Sequence, residues 1–355
     1  MKGDIYRTLA RHLDSLPGGF PPSKTGADLR LLKMLFTPEE AELAVHLTPK
    51  TEDAGAIAGR ANVPSVAART RLDEMAQKGL VFSVQREDGT ALYQAVPFVV
   101  GIYEFQVNNL TGELVRALGE YWSTEEERPP VQTIPQMRTI PVGKSIEFHV
   151  EALPYERVGE IVKSRKRFAV APCICRRHAG LTRGSCAAPE EACLMFDEWA
   201  DYYVRGERGR YIEQSEVMDI LARADAANLV LQPSNSREVC FICCCCGCCC
   251  GVLRGLQRHS RPAEVVVSQF TAALEPEDCD GCLVCLERCQ MQALTSADGR
   301  VALDADRCIG CGLCVTTCAG GALRLVRRPG SERASIPETM QETWRAISEA
   351  EAKRL

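Results

Sequence analysis

Eight of the twenty cysteines in this 355-residue chain fall in two copies of one spacing. Cys279, Cys282, Cys285 and Cys289 follow C-x2-C-x2-C-x3-C, and Cys308, Cys311, Cys314 and Cys318 repeat it. Three thiolates in a tight loop can hold three corners of an iron–sulfur cubane, while a fourth, one helical turn further on, points toward a neighbouring cluster. The spacing therefore predicts two [4Fe-4S] clusters with exchanged fourth ligands. Cys279, Cys282, Cys285 and Cys318 would hold one, and Cys308, Cys311, Cys314 and Cys289 the other. Structural zinc needs four ligands per site and gives no reason for crossed, duplicated triplets. Gly281, Gly310 and Gly312 fit the same reading, because a residue without Cβ lets backbone N–H groups approach the sulfurs. With every iron bound by a thiolate, no coordination position is spare, so the chemistry expected is one-electron transfer.

The remaining twelve cysteines lie upstream: Cys173, Cys175, Cys186 and Cys193, then Cys240, Cys243, Cys244, Cys245, Cys246, Cys248, Cys249 and Cys250. Seven cysteines in the eight residues from 243 to 250 would be an oxidation hazard unless most carried metal. One or two further iron–sulfur clusters are expected here. Cys173, Cys175, Cys186 and Cys193 would suit one and a subset of 240–250 another, although spacing equally allows mixed sets. Adjacent residues point in different directions, so some thiols must face away. His178 reads as a surface or hydrogen-bonding residue. No C-x-x-C-H occurs, which excludes attachment of a c-type haem.

Composition sets the context for these thiols. Apolar residues make up 46% and charged residues 25%, as in globular chains, and no stretch approaches the eighteen apolar residues of a membrane span. The first twenty residues alternate charged and apolar types and lack the apolar core of a secretory signal. A cytoplasmic setting would keep the thiols reduced, so a disulfide framework is not expected. The net charge of −5 argues against broad nucleic-acid binding, which needs a positive footprint.

The elements that must position these residues are partly readable. Ile5, Leu9, Leu13 and Leu16 share one face of an amino-terminal helix that Pro17, Gly18 and Gly19 end. Thr37, Pro38 and Glu40 form a capping box. A helix near 52–60 ends at Asn62, a second runs from Pro64 to Gly79, and strands at 80–85 and 92–96 turn around Asp88 and Gly89. A longer helix is predicted over 98–122, then a charged run to 128 and a Pro129-Pro130 linker. The tail, capped at Ser335, reads as an amphipathic helix with Met340, Trp344 and Ile347 on one face. The predicted fold is α+β, in four parts. These are 1–128, an amino-terminal helix, a winged helix-turn-helix and the long helix; 129–262, a cysteine-rich α/β middle domain; 263–328, a two-cluster ferredoxin-like domain; and 329–355, the carboxy-terminal helix.

The segment 26–96 resembles a winged helix-turn-helix domain with 64–78 in the place of the recognition helix. Residues 1–105 hold 12 basic and 13 acidic side chains, poor for phosphate contacts, so docking or dimerisation is favoured over DNA binding. Residues 279–318, with matching flanks at Gln292-Ala293-Leu294 and Gly321-Ala322-Leu323, look like a bacterial-type two-[4Fe-4S] ferredoxin domain. Gln290 and Ala319 stand where that family usually has proline. Leu16, Pro17, Gly19, Phe20 and Pro21 ahead of the winged helix, the C-x-C at Cys173, the dense block and the ferredoxin tail together resemble 4Fe-4S binding proteins of anaerobic bacteria and archaea. In that family's dense block the position of Cys244 is not cysteine, which implies that Cys244 is not a ligand.

Three functions fit. First is an electron-transfer protein or subunit, not itself an enzyme, passing single electrons to or from a redox partner protein, with self-association compatible. Second is a redox-sensing winged-helix regulator. Third is an oxidoreductase with a reactive cluster or dithiol within 243–250. No glycine-rich dinucleotide fingerprint or phosphate loop supports nucleotide binding.

Overall fold

The computed structural model describes residues 4–125, 134–146, 152–330 and 335–352, and the fold is α+β. Helix α1 (Ile5–Asp14) buries Leu9 and Leu13, and Leu16 follows them into the core. Asp14 then accepts a hydrogen bond from the Phe20 amide at 2.9 Å, closing the Pro17–Gly19 turn and seating Phe20 against Tyr121. Helix α2 (Ala27–Leu35) leads into α3 (Pro38–Ala44), which carries the capping box between Thr37 and Glu40. Strand β1 (Glu52–Asp53), α4 (Ala54–Ala61), α5 (Ser65–Lys78), β2 (Phe82–Gln85) and β3 (Ala91–Gln94) follow, with β3 between β1 and β2. Asp53 caps α4 through the Ala56 amide, and Asn62 ends it in the left-handed region. Gly79 ends α5 at φ 79°, where a Cβ would stand 2.7 Å from the Cβ of Phe105.

The long helix predicted over 98–122 is corrected to two pieces. Val99 and Val100 are extended, α6 is a single turn (Tyr103–Phe105), and Thr111 caps a new helix, α7 (Gly112–Glu125), through the Leu114 amide. β-branched residues and a good N-cap outweighed the apolar periodicity. The linker at Pro129-Pro130 lies outside the described residues.

The middle segment begins with α8 (Val158–Lys163), β4 (Phe168–Pro172), α9 (Ile174–Thr182) and β5 (Glu191–Phe196). It continues with α10 (Glu198–Arg205), β6 (Arg210–Ile212), α11 (Gln214–Ala226), β7 (Val230–Pro233), β8 (Phe241–Cys245) and α12 (Gly251–Arg258). The strands form one antiparallel sheet in the order β6-β4-β5-β8-β7. Period-two alternation splits its side chains between two cores. Ala169, Ala171, Met195 and Phe241 face the amino-terminal helices, and Phe168, Val170, Leu194 and Ile242 face α8 and α11.

Short α13 (Pro262–Val265) precedes the carboxy-terminal segment, in which β9 (Phe270–Leu274) pairs with β12 (Leu323–Arg327). Between them lie α14 (Val284–Arg288) and the hairpin of β10 (Leu294–Ala297) and β11 (Arg300–Leu303), turned at Gly299. Arg288 ties α14 to α11, with its Nη2 2.5 Å from Asp225 Oδ1 and its Nε donating to Leu313 O. The last helix, α15 (Met340–Ala352), starts later than the predicted Ser335 cap: Thr339 receives the Glu342 amide at 3.2 Å. Met340, Trp344 and Ile347 are buried in the amino-terminal core, and Trp344 Nε1 donates to Gln136 Oε1 at 2.9 Å.

Candidate metal centres

Two cavities open side by side in the carboxy-terminal segment. One is lined by Cys279, Cys282, Cys285 and Cys318, the other by Cys289, Cys308, Cys311 and Cys314. Each fourth cysteine thus lies with the other motif's triplet, as the spacing predicts. The duplication extends to the sulfurs' partners: the Ala293 amide donates to Cys289 Sγ at 3.2 Å and the Leu323 amide to Cys318 Sγ at 3.3 Å. Cys308 Sγ accepts from the Ala272 amide at 3.3 Å. The loops close tightly around the cavities. At Gly310, with φ +71°, a Cβ would stand 2.1 Å from Phe270 O, and at Gly312 one would meet Ser145 Oγ at 2.2 Å. Burial pushes the Cys311 thiol up to about 12 and raises Cys285 and Cys314 as well. Such thiols stay protonated unless a cation draws the proton off, which iron does. Four thiols, amide donors on the sulfurs and backbone cradles fit a [4Fe-4S] cluster in each cavity.

The middle-segment cysteines gather in mixed sets from both stretches, the alternative that spacing left open. Cys186, placed with Cys173, Cys175 and Cys193 on sequence, instead joins Cys246, Cys248 and Cys249, with the four sulfurs all within 4.8 Å of one another. Cys186 sits in the connection from α9 to β5, which folds over to reach the turn after β8. Six of the other eight thiols form a closed ring. Cys193 on β5 stands directly across from Cys243 on β8, and Cys245 follows on the same face. Cys173, Cys193, Cys243, Cys245, Cys250 and Cys175 neighbour one another in that order, and Cys175 closes back on Cys173.

The ring thiols are coupled, so that a proton shed by one is held more tightly by its neighbours. Tyr103 and Glu104 of α6 and Tyr203 of α10 stand close enough to feel these thiols. Burial raises Glu104 to about 8, while its Oε2 accepts from the Gly101 amide at 2.7 Å. Six thiols gathered in an enclosed apolar site are a soft ligand set, so the ring too fits a metal cluster.

Cys244 and Cys240 belong to neither group. Cys244 points to the opposite face of β8, opposite Leu231, and burial raises it to about 12. Cys240 lies beside Ser234, and burial raises it to about 12 also. His178 packs between the rings of Tyr103 and Trp122. Sequence reasoning missed Arg176, only 5% exposed, which donates to Pro189 O and Cys244 O and lies beside Cys246. A basic residue directly after a C-x-C was the available signal. Glu104, far away in sequence, gave none.

Residues 301–324 match the family profile of the 4Fe-4S binding domain. The match takes in the second motif and leaves Cys279–Cys289 outside it. The match identifies this segment as a 4Fe-4S binding domain, so the chain carries an iron–sulfur site. No curated protein and no solved structure matches the chain significantly. No helix among the described residues is long and apolar enough to cross a membrane.

Proposed function

We propose that this chain relays single electrons between a partner protein and a buried centre of its own. Two [4Fe-4S] clusters in the crossed ligand sets and at least one more iron–sulfur cluster in the six-thiol ring would carry them. The observation behind this reading is the pair of adjacent four-cysteine cavities, close enough for Cys285 to act electrostatically on Cys314. The cavity of the Cys279 triplet reaches the surface at exposed Cys282, beside Leu283 and Val284, which are 36% and 44% exposed. A redox partner would dock there. At the other end, Gln290, next to Cys289, accepts from the Gly247 amide at 2.8 Å and so ties the second cavity to the dense cysteine block.

The order α3, β1, α4, α5, β2, β3 supports a winged-helix reading for the amino-terminal segment. Its contacts favour docking over DNA binding: Tyr202 donates to Val81 O and Arg208 to Ala76 O and Gln77 O, clamping α5 and the hairpin onto α10. Its α6 then roofs the thiol ring. Iron and sulfide quantitation with EPR of the anaerobically reduced full chain tests the proposal. The expected result is more than about eight irons per chain and a magnetically coupled spectrum from neighbouring clusters. Eight irons or fewer would remove the ring cluster, and an uncoupled spectrum the relay.

A further inference from the structure

The quartet differs in size from every other thiol group. Cys186 Sγ lies 3.4 Å from Cys248 Sγ and 3.8 Å from Cys246 Sγ, and Cys248 Sγ lies 3.7 Å from Cys249 Sγ. Four sulfurs bonded to one ion at about 2.3 Å stand about 3.8 Å apart at tetrahedral angles. The thiolates of a cubane bind four different irons and therefore stand further apart. The chain supplies its own comparison. Neither cavity of the carboxy-terminal segment, nor the six-thiol ring, brings three sulfurs as close as the quartet does; among the described residues it is the one such group.

We infer that Cys186, Cys246, Cys248 and Cys249 form a mononuclear tetrathiolate site holding one tetrahedral ion, Zn2+ or Fe2+, and not an iron–sulfur cluster. Thiolate sulfur in tetrahedral array selects these two ions. Charge supports a filled, anionic site beside Arg176, and the distances assign it a single ion. Four thiolates on a divalent ion leave a net charge of about −2. The Arg176 guanidinium beside Cys246 is 5% exposed, its acceptors Pro189 O and Cys244 O are uncharged, and its Nε has no hydrogen-bond partner. A buried cation without a carboxylate is costly unless an anion faces it, and Arg176 faces Cys173 of the ring as well as Cys246 of the filled quartet.

The ion would act as a staple across 60 residues, fixing the Cys186 loop to the turn that follows β8. Gly247, within that turn, is held by Gln290, so the staple also sets where the second [4Fe-4S] cavity sits against the sheet. This assignment stands whether or not the chain relays electrons.

The test uses the full chain purified without oxygen, with zinc and iron quantitation, zinc-edge X-ray absorption and Mössbauer spectra of iron-57-enriched protein. One ion per chain is expected: zinc with four sulfurs at about 2.3 Å and no second metal in its shell, or a lone high-spin tetrathiolate iron. Cys186→Ser and Cys248→Ser, one in a loop and one exposed, should each abolish that ion while the reduced-cluster EPR signals persist, which also reports that the variants fold. The inference is overturned if either variant loses about four irons together with a cluster signal. It is equally overturned if the unaltered chain holds neither a zinc nor a lone iron.

Discussion

The sulfur of Cys289 accepts the Ala293 amide and lines the cavity of Cys308, Cys311 and Cys314, although its own motif lies around the other cavity. Cys289→Ser is therefore expected to perturb the cluster of the Cys308 triplet and to leave the EPR signal of the Cys279 triplet largely intact; the reverse pattern would disprove the exchange. A contrasting pair lies on β8. Cys243→Ser should lower the iron content. Cys244→Ala should keep all the iron and cost only about 1 kcal/mol, the loss of one small buried group, read from denaturant unfolding of the reduced protein. Residue spacing made the carboxy-terminal ligands legible because a cubane's demands are local in the chain. The quartet and the ring were not legible, because Cys186 and Cys193 are partitioned by where β5 and its preceding loop lie against β8, and no spacing rule encodes that.

Among elements, caps and breakers were the reliable guide. Thr37 starts, Asn62 and Gly79 end, and Gly89 turns an element where the sequence suggested. The extended residues Val99 and Val100 escaped notice because apolar periodicity alone does not locate a break, and at α15 the Ser335 capping pattern was set aside for Thr339, which caps the helix nearer its start. The cluster loops are also elements under constraint. Gly310→Ala must strain a left-handed backbone and drive a Cβ onto Phe270 O, so a loss of about 3 kcal/mol or more is expected, with iron missing from the second cavity only. On the far side, Trp344→Ala removes a side chain 2% exposed in the amino-terminal core. It should destabilise the fold by about 3 kcal/mol or more while sparing the carboxy-terminal cluster signals, as thermal unfolding with parallel EPR would show.

For the whole molecule, the two cores meet at the five-stranded sheet, and the amino-terminal segment closes over the face that carries Cys193 and Cys243. The exposed face of α5 is nonetheless a poor match for duplex DNA. On α5, Arg69 faces Asp73 at 3.9 Å, and Val66 is 80% exposed, an apolar group where phosphate contacts would need charge. Binding to duplex DNA is expected to be weak. A salt titration decides, since true phosphate contacts make affinity fall steeply as ionic strength rises, and tight sequence-selective binding with that slope would favour a regulator.

Strand β8 carries a further consequence, for biogenesis. A slip of one residue in its pairing would send Cys243 and Cys245 to the α11 side and bring Cys244 alone into the row opposite Cys193. A mis-registered sheet could not gather the ring. Were the ring to hold a cluster as proposed, metal uptake would depend on strand alignment and would stabilise only the correctly paired sheet.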